Sequence, residues 1–482
     1  MKHDKDQLFE FLRNGQEITV RQQVSLTAKL SVPAIMTQIS FILMQYIDAS
    51  MVGHLGAEAS AAIGLMSTST WLLFGLCECI VTGFSVMVAH KIGAKRNYEA
   101  KYILRQSFTV CLIWSILLCV FGAMISENLP HYLNGGDDIC PLASEYFFIF
   151  TLGLPFSQLN YLSASMLRSA GNVKTPSILN VIMCVLDVIL NFYFIYPNRE
   201  IEIFGKHIFC PGAGLGVAGA ATGSVLAFVI ISVCMTYYLI FKSKELKLAG
   251  ENGSFRPTRE NFQKALKTAI PIGCERSIMC LAAITTTAVI APLGNVSIAA
   301  DTFAITIEGI CYMPGYGIAD ATTTLIGQCI GAARKNLAKS FAKITVLTSV
   351  IVMTVMSIIM FISARFMFTM MTDNQEIIDL GTLILRIEAF AEPFFGAAIV
   401  CYSCFVGAGN SLLPTAINLC SMWFVRIPLI LFAALPYGLI GVWVAMCFEL
   451  IIRGTIFLIF IRSPRWLNTQ AVRDAERAKR VL

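Results

Sequence analysis

Charged side chains are scarce in this chain. Of its 482 residues only 14% are Asp, Glu, Lys or Arg, and 56% are hydrophobic, where soluble domains carry roughly 25% charge. That shortage excludes an ordinary soluble domain and leaves a polytopic membrane protein, with a mean hydropathy of +0.70. A P-loop lysine motif is missing, as is a separate soluble domain to hydrolyse ATP. The chain is therefore expected not to be an enzyme, and any transport must run on an ion gradient or downhill. Metal-ligand spacing is missing too: Cys77 and Cys79 are too close for a CxxC, and no His spacing suggests zinc. Neither a metal site nor a cofactor is expected. The sixteen Cys make no disulfide framework, since most lie singly in apolar runs, where Cys acts as a small hydrophobe. Only Cys140 and Cys210 fall in predicted outer loops, where they could pair. The N-terminal stretch MKHDKDQLFEFLRNGQEI is polar and amphipathic, unlike a cleavable signal peptide.

What is present is a series of apolar runs. They give twelve candidate spans at 29–52, 60–88, 103–125, 143–167, 176–196 and 214–241, then 265–291, 297–325, 341–364, 378–405, 414–434 and 438–462. The connections alternate in charge. One side holds Lys2, Lys5, Arg13, Arg21 and Lys29, then Lys91 to Arg105, Arg168 and Lys174, the 242–267 segment, Arg334 to Lys343, and the tail beyond Arg462. The other shows Glu58, Glu127, Asp137, Asp138, Glu200, Glu202, Asp373 and Glu376. By the positive-inside rule both termini are cytoplasmic. The net charge of +6 then belongs to cytoplasmic loops, and no nucleic-acid partner is expected.

The halves repeat at an offset of 238 residues. Pro33, Leu55 and Gly56 correspond to Pro271, Leu293 and Gly294; Ile92-Gly93-Ala94 to Ile330-Gly331-Ala332; Ala170-Gly171-Asn172, Pro176 and Asn180 to Ala408-Gly409-Asn410, Pro414 and Asn418. The offset needs no gap from Pro33 to Asn180 and breaks near 198–211, where the first half has a longer outer loop. Six spans per half is an even number, so the copies run in the same direction, a transporter architecture. The expected fold is an all-α membrane protein of twelve transmembrane helices in two parallel six-helix repeats. Its parts are a cytoplasmic N-terminal segment (1–28), an N-lobe (29–241), a cytoplasmic linker (242–264), a C-lobe (265–462) and a cytoplasmic tail (463–482).

Acids inside the spans carry the functional reading, because an intramembrane carboxylate costs at least about 2.5 kcal/mol on insertion scales. In span 1, Gln38, Gln45 and Asp48 share one helical face, and in span 5 Asn180, Asp187 and Asn191 share another. If the faces meet, two adjacent carboxylates would share a proton, which suits proton uptake and release; the bland alternative is polar glue between helices. The repeat partners of Asp48, Asp187 and Asn191 are Thr286, Val425 and Leu429. The scaffold is duplicated but this acidic face is not, which points to function rather than folding.

The second half holds its own charges. Glu449 and Arg453 stand at i and i+4, the spacing of a local ion pair. Asp301 lies near the outer end of its span, an interfacial position. Glu388 and Glu392 share a face beside Pro393, where a helix break could open a polar pocket. Glu275, Glu308 and Glu392 are candidates to line a cavity for a cationic substrate or a coupling ion, as are Gln38 and Gln45.

Several motifs in order resemble the multidrug and toxin extrusion (MATE) family across essentially the whole chain. YIDASMVGHLGAEASAA is similar to its Asp-x3-Val-Gly-x-Leu-Gly signature, IGAKRN and IGAARKN to its turns after spans 2 and 8, LRSAGNVKTP and FVGAGNSLLP to its turns before spans 5 and 11, and GLGVAGAATGSVL to the start of its sixth span. The resemblance implies two lobes and export of cationic or amphipathic compounds in exchange for protons or sodium. It implies that Asp48 is the first-span coupling acid, that Asp187 and Asn191 complete the site with the family's Asn and Asp in reversed order, and that Ser224 stands where a sixth-span Thr is usual. The span 10 acid of the best-known sodium-coupled members is replaced by Phe395, and Glu275 stands about a turn before their seventh-span acid. That favours protons.

The expectation is thus a monomeric antiporter of a bacterial inner membrane, in contact with lipid and a small-molecule cationic or amphipathic substrate. The coupling-ion site comprises Asp48, Asp187, Asn191, Asn180 and Ser224. The alternative is a flippase or exporter of lipid-linked precursors or polysaccharide, which a more basic cavity and additional helices would support. A membrane enzyme or a receptor has no motif in its favour.

Overall fold

Three turn positions with left-handed backbone recur 238 residues apart. They are Gly56 and Gly294 (φ 124° and 95°), Lys95 and Ala333 (59° and 53°), and Gly171 and Gly409 (93° and 82°). For Lys95 and Ala333 this costs roughly 1–2 kcal/mol each, since their Cβ crowds the carbonyl, so the repeat preserves a strained turn as well as residue types. Beside the third pair, Asn172 Oδ1 accepts from the Thr175 amide (3.2 Å) and Asn410 Oδ1 from the Leu413 amide (3.3 Å), opening the next helix of each half in the same way.

The computed structural model describes residues 5–133, 135–203 and 206–481; the side chains of 200–208 and 480–481, and so the carboxylates of Glu200 and Glu202, lie outside that description, as does Lys2. Spans 1 to 3 are the helices Val20–Gly53, Ala57–Gly93 and Asn97–Ile125. Span 4 is two pieces, Cys140–Leu152 and Leu154–Ser169, with Pro155 in the first turn of the second, where its missing N–H costs nothing. Spans 5 and 6 are Lys174–Ile195 and Gly216–Tyr237. Spans 7 to 9 are Arg259–Ile290, Asn295–Gly331 and Lys335–Thr369. Span 10 pairs Gln375–Glu388 with Glu392–Gly407, bent by 53°. Asn374 caps its start, its Oδ1 accepting from the Glu376 and Ile377 amides.

Among the described residues nine helices are long and apolar enough to cross a membrane, ten with the bent pair. One of them, Leu412–Arg462, has 51 residues, roughly 75 Å of helix and more than twice a hydrocarbon core. It breaks at Gly438 (φ 58°, ψ −145°), a conformation that suits glycine, and so supplies spans 11 and 12. With the two-piece span 4, the count is twelve.

Between spans 5 and 6, where the repeat breaks, strands β1 (Pro197–Ile203) and β2 (Lys206–Ala213) form an antiparallel hairpin. Cys140 and Cys210 are both free thiols.

Two compact units can be delimited. The first comprises 1–39, 89–96 and 267–482, the second 40–88 and 97–266. In the first, the amphipathic helix Lys5–Arg13 buries Leu8, Phe9 and Leu12, and Arg334 donates to the Phe11 and Leu12 carbonyls at its end (3.2 and 3.3 Å). Trp443 and Phe368, both fully buried, belong to one of its apolar clusters. In the second, Phe147, Met66 and Leu154 pack spans 2 and 4 together.

Candidate functional site

The polar faces of spans 1 and 5 meet. Asn191 Nδ2 donates to Asp48 Oδ1 (2.8 Å) and to Asp187 Oδ2 (3.1 Å), so one amide bridges both carboxylates. The bridge depends on helical spacing: Asp187 and Asn191 are one turn apart on span 5, and span 1 brings Asp48 to the same point. Asn191 is fully buried and Asp187 nearly so, whereas Asp48 is half-buried. The two carboxyl groups adjoin each other, and Ser224 of span 6 lies beside Asp187. Among the described residues, Asp187 Oδ1 and Asn191 Oδ1 have no hydrogen-bond partner. Tyr146 of span 4 stands within electrostatic reach of both acids.

Space for the bridge comes from span 6. A Cβ at Gly223 would lie 2.1 Å from Asn191 Oδ1 and 3.0 Å from the Asn191 backbone nitrogen. The other polar residues expected here lie apart from the bridge. Asn180, half-buried, accepts from Asn160 Nδ2 at 3.4 Å. Gln45 is exposed, and Gln38 belongs to the other compact unit. Sequence reasoning passed over Gly223 and over Asn160 and Gln158, both buried in span 4. A run of polar residues in an apolar span (SQLN, 157–160) is the signal that marks the latter two.

The other unit, which holds spans 7 to 12, carries a separate set of carboxylates. Glu275 is buried and accepts three hydrogen bonds, from Tyr402 Oη (2.7 Å), Thr415 Oγ1 (2.8 Å) and Asn418 Nδ2 (2.6 Å). This ties span 7 to spans 10 and 11. Glu449 lies between Arg426 (Nη2, 2.8 Å) and Arg453, whose Nε sits 3.2 Å away without hydrogen-bond geometry and whose Nη2 donates at 3.4 Å. Arg426 closes a five-residue π-helical turn, Met422–Arg426, in span 11. Glu388 and Glu392 flank the bend in span 10; both are buried, and among the described residues none of their four carboxyl oxygens has a nitrogen or oxygen hydrogen-bond partner, with the Cys311 thiol beside Glu392. Glu308 is buried within electrostatic reach of both. Asp301 is satisfied within the protein: it is 7% exposed and accepts from Trp443 Nε1 at 2.9 Å. An apolar span end can hold an acid because a ring N–H on a neighbouring helix satisfies it.

Two segments of the chain, 33–193 and 271–432, match the model of the MatE family. The chain belongs to the MatE family. Both segments start at the repeated prolines, 238 residues apart, so each match is one copy of the duplication. Among curated relatives, this MatE chain is 26% identical over 455 residues to "Probable multidrug resistance protein NorM" of Thermotoga maritima, with 94% of each chain covered. It is 21% identical to "Multidrug and toxin extrusion protein 1" of Danio rerio, covering 94% of this chain and 75% of that one. Among solved structures, it superposes on an outward-facing multidrug resistance MATE family transporter with a TM-score of 0.84 at 20% identity, covering 96% and 99% of the two chains. A MOP superfamily transporter from Pyrococcus furiosus gives 0.83 at 19% identity, covering 94% and 97%. The MatE chain is thus a multi-pass membrane transporter with the two-repeat, twelve-helix fold, and not an enzyme.

Proposed function

We propose that this transporter exports cationic or amphipathic small molecules in exchange for protons, with Asp48 and Asp187 as the coupling pair. The observation that carries the reading is the single amide of Asn191 shared by both carboxylates. Two adjacent carboxylates in a low-dielectric setting hold a proton between them more readily than two full charges. In the outward-open state the pair takes a proton from outside. Neutralising this face loosens the Asn191 bridge, alters packing between spans 1, 5 and 6, and favours substrate release. In the inward-open state the proton leaves and substrate binds again. Ser224 supports Asp187, and Asn180 with Asn160 extends the polar path along span 5.

We favour protons over sodium because two adjoining carboxyl groups can share one proton between them. Glu275, held by three donors, ties helices together, while Glu308 and Glu392 remain the second-half candidates for contact with a cation. The buried carboxylates of Glu275, Glu308, Glu388, Glu392 and Glu449 outnumber the arginines beside them, Arg276, Arg426 and Arg453. That balance favours cationic cargo over an anionic lipid-linked precursor. The setting is a bacterial inner membrane, with both termini cytoplasmic and the transporter acting as a monomer.

The test is exchange in proteoliposomes with separately imposed pH and sodium gradients. A pH gradient alone should drive uptake of an organic cation, and Asp48→Asn should abolish it. Exchange that survives in Asp48→Asn, or that follows only the sodium gradient, would overturn the proposal.

A further inference from the structure

Beyond the acid pair, at the end of spans 1 and 5 that the loop charges place outside, a cleft of about 560 Å³ is lined by Ser50, Met51, His54, Phe192, Tyr196 and Arg199. The Arg199 guanidinium lies 4.1 Å from the Phe192 ring centroid and 3.9 Å from that of Tyr196. Both distances are well inside the roughly 6 Å reach of a cation–π contact. The two rings stand 6.0 Å apart at 66°, making an angled receptacle around one planar cation. Phe192 and Tyr196 are one helical turn apart, and the Tyr196 hydroxyl donates to the Met51 carbonyl at 2.9 Å, fixing that ring against span 1. Arg199 follows the end of span 5 in strand β1 and reaches back onto the helix.

The geometry points to an outer binding site for organic cations on the Phe192–Tyr196 ring pair, in which Arg199 is a tethered occupant that an aromatic or quaternary-ammonium ligand displaces. The ligand class rests on the export of cations proposed above. Aromatic faces attract weakly hydrated cations with delocalised or shielded charge and give little to a small, strongly hydrated ion, so this site selects cargo rather than coupling ion. Its place in the chain suits that role, since Phe192 follows Asn191 directly and Ser50 is two residues past Asp48. A cation leaving the acid pair meets two rings and a competing guanidinium. The competition keeps the site weak, as an exit requires.

The experiment is equilibrium binding of tetraphenylphosphonium to the full chain in lipid nanodiscs, with neutral triphenylphosphine oxide as control. Arg199→Ala removes the tethered competitor and should tighten phosphonium binding about three- to tenfold, the worth of one or two such contacts, without changing binding of the neutral compound. Adding Phe192→Leu and Tyr196→Leu to Arg199→Ala should erase the gain. Tyr196→Phe keeps the ring and, combined with Arg199→Ala, should retain it. Unchanged or weaker phosphonium binding in Arg199→Ala, or a gain that survives loss of both rings, would mean that Arg199 only pins the β-hairpin. If the alanine variant does not fold, Arg199→Lys gives a smaller gain in the same direction, and no gain there sinks the idea equally. No ion gradient is present in this assay, so its result is independent of the Asp48→Asn exchange result, and either can fail alone.

Discussion

Gly223 and Asn191 fit together only because one of them has no side chain: a Cβ at 223 would stand 2.1 Å from Asn191 Oδ1. The amide that bridges Asp48 and Asp187 is therefore held from span 6 as well as from its own helix. Gly223→Ala should push Asn191 off the bridge at an overpacking cost of about 1–3 kcal/mol. The expected outcome is a folded transporter with a lower melting midpoint and cation/proton exchange reduced at least severalfold. Wild-type exchange in this variant would mean that the bridge geometry does not matter.

Replacing the bridge outright is a sharper perturbation. Asn191→Leu installs the residue that the second repeat carries at the matching position, Leu429. It leaves both acids without their shared donor, a loss of roughly 1–3 kcal/mol for a buried acceptor, and exchange should collapse. Asn180→Leu should be much milder, because Asn180 lies outside the bridge and accepts a long hydrogen bond from Asn160 at 3.4 Å. The two variants compared in one vesicle assay check this; equal effects would show that the whole polar face acts as one unit.

Glu275 is expected to serve stability more than coupling. Glu275→Gln puts an NH2 where an acceptor oxygen stood: against Asn418 Nδ2 that is donor against donor, and against Tyr402 and Thr415 it makes both hydroxyls give up donating to it and turn to accept. A cost of about 1–3 kcal/mol should appear as a lower thermal midpoint, with proton-driven exchange retained in protein that stays folded. Loss of exchange with an unchanged midpoint would instead put Glu275 in the transport cycle.

The linker between the halves offers a pH-dependent test outside the membrane. Lys101 ion-pairs with Glu251, and Arg105 donates to the Glu251 carbonyl at 3.1 Å. The Lys101 hydrogen bond, with the charges of Lys101 and Arg105, holds the Glu251 carboxyl below its ordinary range. A group depressed in the folded state stabilises above its unfolded value and loses that contribution as pH falls through the folded one. Amide hydrogen exchange over 250–255 should therefore be faster in Glu251→Gln than in wild type at neutral pH. After correction for intrinsic exchange, the difference should vanish below the carboxylate range. A difference that persists in acid would assign the effect to packing rather than charge.

Much of this was legible in the residues alone. Spacings of seven and four put Asn180, Asp187 and Asn191 on one face, and the apolar runs gave the order of the spans. Two-body facts were not legible. That Asn191, rather than Asn180, forms the bridge depends on how deep span 1 sits against span 5, which no periodicity encodes. Asp301 reads as interfacial by position, yet Trp443, 142 residues away in sequence, supplies its donor. Gly223 is one of several small residues in GVAGAATGSVL, and only its neighbour distinguishes it. The β-hairpin falls where the repeat loses register, so the second copy offers no template for it.

The repeated turns have a consequence for experiment. Since Lys95 and Ala333, and Gly171 and Gly409, bend the chain alike, each half supplies a matched local backbone for the other. Thr286, Val425 and Leu429 occupy the second-copy positions of the coupling trio, and Thr37 occupies the first-copy position of Glu275. The molecule thus carries an internal control: an acid grafted at its mirror position meets similar local backbone without the native partners, so what it fails to do measures how much of the chemistry lies in the neighbours.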